Sequence, residues 1–242
     1  MCIRDRLKDN PKIIDRAKSS SSRLLDIRVP PSNIPVGSGK KRSGQRLLTV
    51  ATDCACGKKY TALSMNDTMR RAGINSTFRA TGQTGIMISG EGIPIDAVTA
   101  DFISGAAEML TPDNEPNHWD VIEGQGSLFH PGYSGVSLGL LNGSQPDAFI
   151  VCHDATRMVI SGWEHYSLPS VKECIDLHIQ LGRITNPDIA CVGISLNTSG
   201  LSMDERDSYL NALRKDTSLP CVDPLIDGCD DILLHMKKIF SF

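Results

Sequence analysis

Long apolar runs are missing from this 242-residue chain, and so is any excess of basic charge. No run approaches the roughly 18 apolar residues that a membrane span needs, and no basic segment followed by an apolar core reads as a secretory leader. Lys and Arg number 25 against 28 Asp and Glu, a net charge of -3. Such a balance gives no global attraction to nucleic acid or to acidic membranes, and the densest basic run is only Lys40-Lys41-Arg42. Eight cysteines contain no C-x-x-C pair, and several sit inside apolar strand-like runs, as expected of reduced thiols in the cytoplasm. These absences leave small-molecule chemistry in a cytoplasmic protein, with a homo-oligomer left open.

What is present is ordinary globular composition, 40% hydrophobic and 22% charged, enough for one large α/β domain or two small ones. Residues 1–45 have weak periodicity. They carry the Ser19-Ser20-Ser21-Ser22 run, Pro30-Pro31 and Gly37-Ser38-Gly39, which suits a linker or a domain edge. The opening Met-Cys-Ile-Arg-Asp-Arg reads as an artefactual leader and is set aside from fold reasoning.

Residues 46–61, Arg-Leu-Leu-Thr-Val-Ala-Thr-Asp-Cys-Ala-Cys-Gly-Lys-Lys-Tyr-Thr, run from an apolar strand through a loop of small residues into a helix. Aligned with G-x-x-x-x-G-K-[ST], Thr52 takes the first glycine position and Asp53, Cys54, Ala55 and Cys56 fill the loop. Gly57 and Lys58 are the Gly-Lys, and Lys59 stands where a Ser or Thr hydroxyl would meet magnesium. Backbone N–H groups at a helix start and the Lys58 ammonium still converge on a polyphosphate, whereas Lys59 weakens metal chemistry. Small-residue packing is the first reading of Cys54 and Cys56, with a thiol pKa lowered by the helix N–H groups and Lys58 as the alternative.

From Arg46 onward strands expected near 47–52, 75–81, 119–123, 147–153, 190–196 and 219–223 alternate with helical patterns. That alternation predicts a P-loop-like parallel sheet with helices on both faces, spanning 46–242. Helix faces are expected from Ala62, Met65, Met69 and Ala72, from Ile95, Val98, Phe102, Ala106 and Met109, and from Ile232, Leu233, Met236 and Ile239.

Ligands in such sheets bind beyond the carboxyl ends of the strands, and those ends are polar here. They are Thr81-Gly82-Gln83-Thr84-Gly85, Glu123-Gly124-Gln125-Gly126-Ser127, His153-Asp154 and Asn197-Thr198-Ser199. Glu123, followed by glycine, suits binding Mg²⁺, acting as a base or orienting an amine. His153 offers an imidazole able to titrate near neutrality, as a general base or substrate ligand, with a hydrogen-bonded structural histidine as its equal alternative; Asp154 offers a carboxylate, and His130 in Phe-His-Pro-Gly-Tyr caps the same cleft or lies on the surface. Lys58, Arg79 and Arg157 are candidates to pair with substrate carboxylates, and Thr81, Gln83, Thr84, Gln125, His130 and Asn197 to line the substrate.

The blocks T-D-C-A-C-G-K-K, A-T-G-Q-T-G-I-M-I, I-D-A-V-T-A-D-F, V-I-E-G-Q-G-S-L-F-H-P and D-A-F-I-V-C-H-D, in this order, resemble a family long called a domain of unknown function and associated with D-glutamate N-acetyltransferase. The resemblance implies a Rossmann-like domain ahead of the P-loop domain, with residues 1–45 holding only its remnant. It also implies acetyl transfer from acetyl-CoA to the amine of D-glutamate, with residues 52–59 holding the donor, Glu123, His153 and Asp154 in catalysis, and no metal. Lys59 and Tyr60 stand where that family tends to carry Met and Thr, and Cys56 replaces a usual Val. The loop and V-I-E-G-Q-G are also similar to dethiobiotin synthetase, which implies ATP with Mg²⁺ as the alternative, a Glu like Glu123 binding the metal. A nucleotide-binding protein without turnover is the third reading.

Overall fold

A computed structural model describes residues 7–241, and the opening hexapeptide lies outside them. Helix α1, Pro11–Ser19, was missed by the sequence reading, although Asn10 caps it through Lys12 N–H and Pro11 opens it. None of its residues is buried.

Strand β1, Gln45–Ala51, leads through the phosphate-loop segment into α2, Lys58–Arg71, and then to β2, Ser76–Arg79, and α3, Gln83–Ser89. Next come α4, Ile103–Leu110, β3, Trp119–Ile122, α5, Ser134–Ser144, and β4, Ala148–Asp154. A hairpin of β5, Val159–Ile160, and β6, Trp163–Ser167, precedes α6, Val171–Gly182. The chain closes with β7, Ala190–Asn197, α7, Met203–Thr217, β8, Cys221–Val222, and α8, Asp230–Phe240. Helices α6 and α7 start at reciprocal capping boxes, Ser170 with Glu173 and Ser202 with Glu205.

Six strands form one parallel sheet in the order β2-β3-β1-β4-β7-β8, and β5 and β6 pair separately. Strand order reverses at β1, which has β3 on one side and β4 on the other. Alternation along β1 sends Leu47 to one face and Leu48 to the other. Leu48, Val50, Phe149 and Val151 pack beneath α4 to α7, while Leu47, Val121, Ile150 and Val192 pack beneath α2, α3 and α8. The expected doubly covered sheet is therefore present, and each fully buried Leu or Ile contributes about 1.5–3 kcal/mol.

Three helix faces need correction. Residues 95–110 form two short 3-10 turns and then α4, because Val98 and Thr99 are extended, and Met109 is 43% exposed. Ala72 is exposed as the C-cap of α2, with Gly73 following at φ 78°, and Ile239 of α8 is 42% exposed. Among the described residues no helix is long and apolar enough to cross a membrane.

Candidate phosphate loop and the strand ends around it

The loop leaves β1 where Thr52 N–H still reaches the Cys152 carbonyl of β4 at 3.2 Å. Asp53 is fully buried and all its bonds hold the loop together. Its Oδ1 accepts Cys54 N–H at 2.6 Å, and its Oδ2 accepts Ser161 N–H at 2.8 Å and Arg157 Nη1 at 2.9 Å. Arg157 Nη1 also donates to the Cys54 carbonyl at 2.5 Å. Ala55 lies at φ 55° and Gly57 at φ 102°, turning the chain so that α2 begins at Lys58 with no side-chain cap on its N–H groups. An uncapped helix start of this kind is a ready anion site. Lys58 is only 8% exposed; its stem crosses Gly124 and its Nζ donates to the Asp53 carbonyl at 3.0 Å.

Gly124 admits no side chain, since a Cβ there would lie 1.7 Å from the Thr49 carbonyl. Thr49 Oγ1 ties β1 to β3, donating to the Ile122 carbonyl and accepting Gly124 N–H. This close approach puts Glu123 beside the loop. Glu123 Oε2 accepts Thr81 N–H at 2.9 Å and Gly82 N–H at 3.0 Å, so the carboxylate closes the start of α3. A Cβ on Gly85 would meet that oxygen at 2.2 Å. Burial pushes the Glu123 carboxyl above its ordinary range, against the two amide bonds and the positive charges of Lys59 and Lys58. Gln125 Nε2 donates to Thr81 Oγ1, which donates to the Glu123 carbonyl, while Gln83 and Thr84 stand exposed on the first turn of α3.

His153 departs from the near-neutral imidazole of the first of its two readings. Nδ1 lies 3.0 Å from Thr52 Oγ1 and Nε2 2.8 Å from the Tyr209 hydroxyl, and burial pushes the ring down to about 4. It is a neutral ring with both nitrogens engaged. Asp154 points elsewhere, to Thr156, to Arg157 at 3.5 Å and to Asn197 Nδ2 at 3.3 Å. Burial raises the Cys54 thiol more than Lys58 lowers it, which counts against the thiolate alternative. Cys56 is raised for the same reason and packs with Ala51 and Cys152. Arg79 Nε donates to buried Asp120 at 2.6 Å.

His130 is buried, stacked on Tyr133 at 4.3 Å and edge-on to Trp163 at 4.5 Å. Its Nδ1 accepts Gly132 N–H at 3.1 Å and its Nε2 faces the Ser161 carbonyl at 3.3 Å. The structure therefore gathers Thr52 to Lys58, His130, Arg157 and the β5–β6 hairpin on one side of the loop, and Thr81, Glu123 and Gln125 on the other. Sequence reading missed Ser161, Trp163 and Tyr209. Ser161-Gly162 between apolar residues was a turn signal for the hairpin, whereas nothing local marks Tyr209, on a helix 56 residues beyond His153.

A family model described as a domain of unknown function, the DUF1611 C-terminal P-loop domain, matches residues 35–233. A protein from Pseudoalteromonas sp named D-glutamate N-acetyltransferase is 50% identical over 234 residues, covering 97% of this chain and 70% of its own length. One of the same name from Tritonibacter scottomollicae is 50% identical over 92% of this chain and 67% of its own. A crystal structure of a DUF1611 family protein from Anabaena variabilis superposes with a TM-score of 0.89 at 33% identity, over 99% of this chain and 70% of that one.

Proposed function

We propose, from the premise that this chain belongs to the DUF1611 family and carries its P-loop domain, that it is an N-acetyltransferase acting on the amine of D-glutamate with acetyl-CoA as donor. The observation that carries this reading is the 50% identity, over 97% of the chain, to a protein named for that reaction. The cysteines among the described residues are unpaired, and with a coenzyme-A donor they suit a cytoplasmic setting.

The geometry suits the chemistry in three respects. Coenzyme A carries a diphosphate, and the uncapped start of α2 with Lys58 supplies donors and charge for it. An amine must lose a proton to attack a thioester, and Glu123, its carboxyl raised by burial, is a better base near neutrality than an ordinary carboxylate. The glycines at 82 and 85 make room for the Glu123 carboxylate itself, and Gly124 for the close approach to Thr49 that places it. In this reading His153 works through Thr52 and Tyr209 to set the loop, and Asp154 through Arg157 and Asn197. Thr81, Gln83, Thr84 and Gln125 border the acceptor.

The test is turnover of acetyl-CoA with D-glutamate by the purified chain, reading N-acetyl product by mass spectrometry. Glu123→Gln keeps an acceptor for Thr81 and Gly82 N–H and removes the base. Its kcat is expected to fall by about 10²–10⁴ with little change in KM for the donor. A variant with unchanged kcat removes Glu123 from catalysis, and a wild-type chain without product removes the activity.

A further inference from the structure

Loops with this spacing ordinarily hold a nucleotide together with magnesium, using the hydroxyl after Gly-Lys and a carboxylate from a neighbouring strand end. Most of the oxygens that such an ion needs are spoken for here, with Glu123 Oε1 the one left over among the described residues. Position 59 is a lysine, with no oxygen to give and a positive charge of its own. The Glu123 carboxylate has Oε2 on two backbone N–H groups and lies in the field of both Lys58 and Lys59. Asp53 has one oxygen on Cys54 N–H and the other shared between Ser161 N–H and the Arg157 guanidinium.

Among the described residues Asp53, Cys54 and His130 bring their ligand atoms within 4.8 Å of one another. They too are a poor cage. Both His130 nitrogens already have partners, the Cys54 thiol is held protonated by burial, and Arg157 competes for Asp53. A divalent ion would have to displace a guanidinium, so the donor set does not fit one.

We infer that the loop takes its phosphate-bearing ligand without a divalent ion, with Lys59 and Arg157 as the fixed cations at its flanks. Arg157 is a positioning residue: its guanidinium spans the Asp53 carboxylate, the Cys54 carbonyl and Asp154, which holds residues 53–57 in the conformation that starts α2. Lys59, half-buried beside its own Tyr60 ring, adds charge near Glu123. The inference rests on the phosphate-loop part of the reading above and is independent of the acceptor.

Titration calorimetry of the full chain with acetyl-CoA, and separately with ADP, in EDTA and then in excess Mg²⁺, tests it. The expected Kd for acetyl-CoA is the same within about twofold in both buffers. Arg157→Gln should weaken binding about tenfold in both, Arg157→Lys should recover part of it, and Lys59→Met should weaken it about threefold at low salt. The Lys59 arm keeps the test decisive if Arg157→Gln fails to fold. Loss of acetyl-CoA or ADP affinity by tenfold or more in EDTA overturns the inference while leaving an acetyl-CoA enzyme standing. Binding of ADP alone, unchanged by EDTA, supports the inference and sinks the acetyl-CoA reading. Absence of binding by either ligand in both buffers sinks both.

Discussion

At the N-terminal edge of the sheet Arg46 is completely buried, and its guanidinium donates to the carbonyls of Arg42, Ser43 and Gly44 while pairing with Asp147 at 3.7 Å. Asp147 in turn accepts Arg46 N–H, Lys41 and Asn186. At the C-terminal edge Lys58 is nearly as buried, yet its ammonium rests on a single backbone carbonyl and the helix start beside it carries no side-chain cap. Both edges bury a cation. One has its donors saturated by the fold and the other keeps spare donors, so spare donor capacity, not buried charge, marks the site.

The largest effect expected from that difference is at the closed edge. Arg46→Ala leaves Asp147 without its buried partner and should cost about 3–5 kcal/mol in urea denaturation. The molecules that remain folded should keep their kcat/KM. A variant of normal stability that has lost turnover would erase the distinction between the two edges.

Acid should strike the other edge and the core behind it. Burial holds His153 and His178 at about 4, while an unfolded histidine titrates near 6.5. Between those values the unfolded chain takes up protons that the folded chain refuses. Stability is therefore complete above about pH 6.5 and falls as pH drops toward 4, by on the order of 3 kcal/mol for each ring. His153→Gln should flatten the pH dependence of the urea midpoint by about half of the combined effect. An unchanged slope would mean that His153 titrates alike in both states.

Lys58→Ala should be smaller and of opposite kind. With its ammonium gone, acetyl-CoA affinity is expected to fall about 10- to 100-fold, or roughly 1.5–3 kcal/mol. The melting temperature should stay within about 2 °C, because the lysine's one hydrogen bond is to a carbonyl. A large loss of stability with intact binding would make this cation the counterpart of Arg46.

The sheet was legible because the short apolar runs of β1, β3, β4 and β7 and the glycine-lysine turn are local signals, and the polar residues after each strand did collect at one edge. Roles were less legible. Nothing in His153-Asp154 tells that one side chain turns to Thr52 and Tyr209 and its neighbour to Arg157 and Asn197. Those directions follow from which strand sits beside β4, and that is a long-range fact. The same holds for Cys54, where sequence shows a nearby lysine but not the burial that outweighs it. Residues 95–102 failed for a local reason, since an apolar period close to helical also fits successive 3-10 turns broken by an extended Val98.

The smallest expected effect concerns Ala55, a residue with a side chain in the left-handed region at φ 55°. Such a conformation costs an L-residue roughly 1 kcal/mol that glycine does not incur. Glycine at the same position frees the unfolded chain by about 0.4–1 kcal/mol, so the two terms nearly cancel and Ala55→Gly should leave stability within about 0.5 kcal/mol. Binding need not follow stability. The loop is held by Asp53 and Arg157 on one side and Gly57 on the other, with Ala55 exposed between them. A more mobile residue there raises the entropy lost on closing around a ligand, and acetyl-CoA affinity should drop about two- to fivefold. Equal affinity in Ala55→Gly would show that the Arg157 bonds alone fix the loop, and a drop beyond tenfold would show that the alanine, not the arginine, is what holds the N–H groups in place.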